Sequence, residues 1–171
     1  MRSVKNLNLN LLLLTLCSCH ALALNSDSEQ PIQISADAGM VNEAAGISTY
    51  SGNVAIDQGS MHIAADEVEV IIANKQVVKI IARALPNSKK LARYEHLPDN
   101  ATKPVVAEAK LITYLASEAS LHLSGQAKLE QVQGSFSGDL LLYDVNRGIV
   151  DIKSGSREGD RIKMTISPQQ R

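Results

Sequence analysis

Strict alternation of apolar and polar residues runs through most of this chain, and it limits the fold more than any other feature. Ile162-Lys163-Met164-Thr165-Ile166 is the cleanest case, and Met61-His62-Ile63, Val68-Glu69-Val70 and Leu121-His122-Leu123 read the same way. A period of two places apolar side chains on one face of a strand and polar ones on the other. Turn signals cut the runs at short intervals: Asn42 to Gly46, Gln58-Gly59, Asn74, Ser124-Gly125, Asn146-Arg147-Gly148 and Arg157-Glu158-Gly159-Asp160. The Ala-rich stretch from Ala107 to Ala119 comes nearest to a helical stripe, but Ile112, Thr113 and Tyr114 favour strand there. The expectation is an all-β fold of short strands: a sandwich, barrel or jelly roll.

The first residues read as an address. Arg2 and Lys5 precede the apolar run Leu11 to Leu16, and Ala21-Leu22-Ala23 offers a cleavage site. The expected division is a signal peptide over 1–23, cut after Ala23, and a β-domain over 24–171. Both cysteines, Cys17 and Cys19, fall in the leader, so the exported chain would have neither disulfide nor thiolate. Leu16-Cys17-Ser18-Cys19 loosely resembles a lipobox, which leaves lipidation at Cys19 as an alternative to cleavage. Acidic residues number 18 against 17 basic ones, a balance that argues against nucleic acid as partner. With no Trp, one Phe and four Tyr, the apolar content is nearly all aliphatic.

The chain also repeats. Thr49 to Gln58 aligns without a gap on His122 to Gln131, an offset that also pairs Ile63 with Phe136 and Asp66 with Asp139. A two-residue slip pairs Ala36-Asp37-Ala38 with Ala107-Glu108-Ala109. Two related β-units are expected, about 31–73 and 105–166, joined by the segment from Asn74 to Pro104. Units that cannot bury their apolar faces alone stack into one core.

No enzyme signature is present. The histidines beyond the leader, His62, His96 and His122, lack the close pairing a cupin metal site needs, although His62 and Asp66 stand four apart. There is no G-x-S-x-G, H-E-x-x-H or phosphate loop. The reading is therefore a non-enzyme without metal or cofactor.

Pro31 to Asp37, Tyr50 to Gly59 and Ile63 to Val70 resemble the OstA-like repeat, and Leu123 to Ala127 with Ser137 to Tyr143 resemble its second copy. Together, over roughly Pro31 to Ile166, they resemble the LptA/OstA family of lipopolysaccharide transport proteins. The resemblance implies an open, twisted β-jelly roll with a hydrophobic interior groove. It implies a periplasmic carrier that binds the lipid A acyl chains and passes lipopolysaccharide from the inner-membrane export complex to the outer-membrane translocon. Implied partners are lipopolysaccharide, an inner-membrane LptC-like protein, the N-terminal jelly-roll domain of an LptD-like translocon, and further copies of the chain, head to tail. The alternatives are a membrane-anchored relative in the same pathway and a structural adaptor domain without lipid ligand.

Alternation nominates Ile32, Ile34, Tyr50, Val54, Ile56, Ile63, Val68, Tyr94, Leu123, Leu129, Phe136 and Tyr143 as groove lining. Ordinary core packing explains each of these singly; the groove is a property of the set. Lys89, Lys90 and Arg93 form a basic cluster that could meet phosphate or sugar at a rim.

Overall fold

The computed structural model describes residues 27–99, 101–155 and 161–167. The leader, its cleavage site at Ala23 and the turn at Arg157 to Asp160 lie outside them. The described chain is nearly all strand: β1 (Gln33–Ser35), β2 (Ala38–Asn42), β3 (Ile47–Gln58), β4 (Met61–Ala73), β5 (Gln76–Arg83), β6 (Ala92–His96), β7 (Val105–Ala109), β8 (Leu111–Leu115), β9 (Ser120–Gln131), β10 (Gly134–Asp144), β11 (Ile149–Lys153) and β12 (Lys163–Ile166). Short 3₁₀ turns occupy Asp27–Glu29 and Ala116–Glu118. All ladders are antiparallel.

The long strands β3, β4, β9 and β10 create the architecture, because each pairs with different partners along its two halves. The first half of β3 pairs with β2 and the second half with β1. The halves of β4 pair with β6 and β5, those of β9 with β8 and β7, and those of β10 with β12 and β11. One sheet face therefore runs β2-β3-β4-β5-β8-β9-β10-β11. The other runs β1-β3-β4-β6-β7-β9-β10-β12. In the middle the ladders close into a circuit through β4, β6, β7, β9, β8 and β5. Outside it the two faces continue to separate ends: β1 and β2 at one, β11 and β12 at the other. This is the jelly roll that the resemblance implied, and one of the three all-β folds that the alternation allowed.

The bends come from local sequence. In β3 the ladder to β4 shifts between Ser51 and Val54, where Gly52 has φ 77° and Asn53 φ 46°. In β9 the corner is Gly125 at φ 75° and Gln126 at φ 56°. Left-handed backbone is cheap for Gly and tolerable for Asn, and an extra residue there turns a strand across the fold.

The repeat is visible in the ladders. Ile34 pairs with Ile56 and Ala107 with Leu129; Gly39 pairs with Tyr50 and Ile112 with Leu123. Asp37 N–H donates to Gly52 O at 2.9 Å, and Lys110 N–H to Gly125 O at 2.8 Å. Each counterpart lies 73 residues on. The slip expected near Ala36 is absent: Ile34, not Ala36, is the counterpart of Ala107, because β1 and β7 hold the same register on β3 and β9. The segment from Asn74 to Pro104 is also more than a joiner, since it carries β5 and β6. Their partners on β4 correspond to those of β11 and β12 on β10: Val70 with Ile80 against Tyr143 with Val150, and Ile63 with Tyr94 against Phe136 with Met164. Here the offset is 70 residues. The units meet where β5 pairs with β8 and β6 with β7.

Candidate functional site

Inward residues of both faces make one apolar interior. Val54, Ile56, Ile63, Val68, Tyr94, Leu123, Leu129 and Tyr143 belong to its buried cluster, and Ile32, Ile34, Tyr50 and Phe136 pack against that cluster. Every lining residue nominated by alternation is thus brought to the same interior. Ile80, Ile112, Leu121, Leu141, Val70, Met61 and Val105 join them and were not nominated. Most lie in runs where alternation was recognisable, but the choice of face depended on ladder register.

The interior is uneven along its length. Through the central circuit it is filled by side chains: Ile112, Leu123 and Leu129 are 0 % exposed and Ile63 and Tyr94 1 %, and the filling continues into β3 and β10, where Ile56 and Leu141 are also 0 % exposed. Towards the ends it opens. Inward Val41 on β2 is 60 % exposed, and Met164 and Ile166 on β12 are 58 % and 70 %. A shallow, solvent-open depression of about 600 Å³, lined by polar as well as apolar residues, lies between Ile152 to Ser154 and Arg161-Ile162 at the β11/β12 end. Ala82 and Ala92, the counterparts of Ile152 and Ile162 at the inner junction, are buried.

Aromatic rings mark the middle. Tyr94 on β6 and Tyr114 on β8 face each other from opposite sheet faces, ring centroids 6.0 Å apart, and His96 lies 6.3 Å from Tyr94. Burial raises the pKa of both tyrosine hydroxyls, with a smaller push from the Asp27 carboxylate. Burial also lowers the His96 pKa, against the opposing pull of Asp27 and Asp99. His96 Nδ1 is buried without a hydrogen-bond partner, a costly state for an interior polar atom. The Asp27 turn closes over this region. Its carboxylate accepts from the Ser60 N–H at 3.0 Å and from the Ser60 hydroxyl, while Ser60 Oγ accepts from the Leu97 N–H at 3.1 Å. Neither the turn nor the His96 atom had a signal in the residue pattern.

The basic cluster is divided. Lys89 and Lys90 are exposed in the loop before β6. Arg93 stands on the outer face beside inward Tyr94, and its guanidinium donates to Glu108 at 3.0 Å and to Glu95 at 2.9 Å. Desolvation, the largest single influence, lowers its pKa, but the two carboxylates together outweigh it and leave the pKa raised. His62 Nδ1 lies 2.6 Å from Asp57, while Asp66 accepts from the Leu85 N–H at 2.8 Å, so His62 and Asp66 have separate partners. Among the described residues no group of three or more His, Cys, Asp or Glu could hold a metal ion, and no helix is long and apolar enough to cross a membrane.

Comparison with known proteins places this interior in context. Residues 33–149 match the family described as LptA/(LptD N-terminal domain) LPS transport protein. The lipopolysaccharide export system protein LptH of Pseudomonas aeruginosa is 31 % identical over 151 residues, covering 85 % of this chain and 84 % of that protein. LptA of Escherichia coli K12 is 30 % identical over 144 residues, covering 84 % and 75 %. The crystal structure of P. aeruginosa LptH, described as the LptA-homologous periplasmic component of the lipopolysaccharide transport device, superposes with a TM-score of 0.75 at 28 % identity over 84 % of this chain and 99 % of that one. The chain belongs to the LptA/LptD N-terminal domain family of lipopolysaccharide transport proteins.

Proposed function

We propose that this chain is a periplasmic, non-enzymatic carrier that shelters the acyl chains of lipopolysaccharide between its two sheet faces. It passes the lipid from an inner-membrane export complex towards an outer-membrane translocon. The observation that supports this reading is the apolar interior running from the β1/β2 end to the β11/β12 end, uncovered at both by the described residues. Each methylene kept from water is worth about 0.8 kcal/mol, so one acyl chain represents on the order of 10 kcal/mol. Lining by Ile32, Ile34, Tyr50, Val54, Ile56, Ile63, Val68, Tyr94, Leu123, Leu129, Phe136 and Tyr143 supplies that shelter. Glycan and phosphate stay in water, within reach of Lys89 and Lys90; Arg93 would first have to leave its carboxylates.

Hand-over uses the end strands, whose outer edges no described strand pairs. Edge strands recruit other strands, and here β1 with β2 and β11 with β12 would receive an LptC-like protein, the jelly-roll domain of an LptD-like translocon, or another copy of the chain. The test is co-migration of the purified protein with lipopolysaccharide on a sizing column, with a detergent-dispersed phospholipid control. Retention of lipopolysaccharide is the expected result. Its absence, with the protein folded, would favour an adaptor without lipid ligand.

A further inference from the structure

The duplicated ladders allow each residue at the inner junction to be compared with its counterpart at the free ends. Tyr94 on β6 corresponds to Met164 on β12, since Ile63 pairs with the first and Phe136 with the second. Tyr114 on β8 corresponds to Val41 on β2, since Tyr114 pairs with Leu121 and Val41 with Ser48. Ile112 corresponds in the same way to Gly39. At these three positions the ends carry Met, Val and Gly where the centre carries two rings and an isoleucine; the rings at the ends, Tyr50 and Phe136, lie on the paired strands β3 and β10, against Gly39 and Met164. The two central rings come from opposite sheet faces and meet 6.0 Å apart, within the range for aromatic contact, so they span the interior at its midpoint. Tyr94 is 1 % exposed and its ring packs against that of Tyr114.

From this contrast we infer that Tyr94 and Tyr114 form a constriction dividing the apolar interior into two compartments, one for each β-unit. An alkyl chain of an amphiphile fills one compartment and stops at the rings; passing into the other requires the rings to part. His96 adds a polar element at the same place. Its unpartnered Nδ1 lies beside Tyr94 and offers a hydrogen bond to a hydroxyl or water that arrives once the rings separate. The pair thus sets the length of alkyl chain the protein accommodates without rearrangement. This inference rests on the carrier reading above.

The test measures affinity against chain length. Alkyl phosphocholines of increasing length, kept below their micelle concentrations, are titrated into the protein and into Tyr114→Val, which installs the residue found at the β2 end. Tyrosine emission is the readout in a chain without Trp. In the starting protein Kd falls about threefold to fourfold per added methylene and then levels off once one compartment is filled. In Tyr114→Val the fall continues beyond that length. Tyr94→Met is the second variant, which installs the residue found at the β12 end, and gives the same result should Tyr114→Val fail to fold. Equal slopes and equal plateaus in all folded proteins overturn the constriction while leaving the carrier reading intact. Absence of binding by every folded protein at every length overturns the carrier reading, and the constriction with it.

Discussion

Among single residues, His96 is the most exposed to a change of conditions. Its ring faces inward beside Tyr94, its Nδ1 lacks a partner, and burial lowers its pKa from the ordinary 6.5. Well above about pH 6.5 the residue is neutral both folded and unfolded and contributes no pH dependence. Below that value the unfolded chain takes up the proton first, so the folded state loses stability as pH falls towards the lowered folded value. Replacing His96 with Leu removes this contribution. The urea midpoint of His96→Leu should therefore gain on that of the starting protein between about pH 7.5 and 5.5; a constant difference across that range would contradict the burial argument. At this scale the sequence was readable wherever two-residue alternation was clean, as for Ile56, Ile63 and Leu129. It was silent on His96, because an orphaned nitrogen depends on what the fold places around it.

At the scale of elements, the corners decide how strands become a jelly roll. Gly52 and Gly125 sit in left-handed backbone at matching places in β3 and β9. A Cβ on Gly52 would lie 2.4 Å from Asp37 Oδ2, whereas one on Gly148, at φ 65°, meets nothing within 4 Å. Gly148→Ala therefore bears only the backbone penalty, about 1 kcal/mol. Gly52→Ala adds a collision at a bend that two sheet faces share, and a loss of about 3 kcal/mol is expected. Urea denaturation of the two variants side by side checks the ordering. The glycines and the 73-residue repeat were both visible in the residues, yet β5 and β6 were hidden in a supposed joiner. Gln76 to Arg83 contains Val77-Val78 and Ile80-Ile81, so its apolar residues do not alternate and its strand period is obscured. The counterparts of β5 and β6 also lie 70 rather than 73 residues away, which breaks any single-offset alignment.

For the whole molecule, the inner junction supplies a template for the proposed contact between copies. Ile81 pairs with Thr113 where β5 meets β8, and their counterparts are Asp151 on β11 and Met40 on β2. Tyr94 pairs with Ala107 where β6 meets β7, and their counterparts are Met164 and Ile34. Head-to-tail pairing in this register sets Asp151 of one copy opposite Met40 of the next. With Cys17 and Cys19 replaced by Ser, a mixture of Asp151→Cys and Met40→Cys chains should form disulfide-linked dimers on mild oxidation. A mixture of Asp151→Cys with Asn42→Cys should not, because a two-residue shift on the same face separates the Cβ atoms by about 7 Å or more. Preferential linkage of the shifted pair would refute the template.

The duplication has a mechanical consequence for any such row of copies. Every second joint is then covalent, because two units share one polypeptide, and only the alternate joints can come apart. The least piece that can be exchanged is a pair of units. The row would lengthen, shorten and be severed in steps of two units, always at its aliphatic joints and never at its aromatic ones.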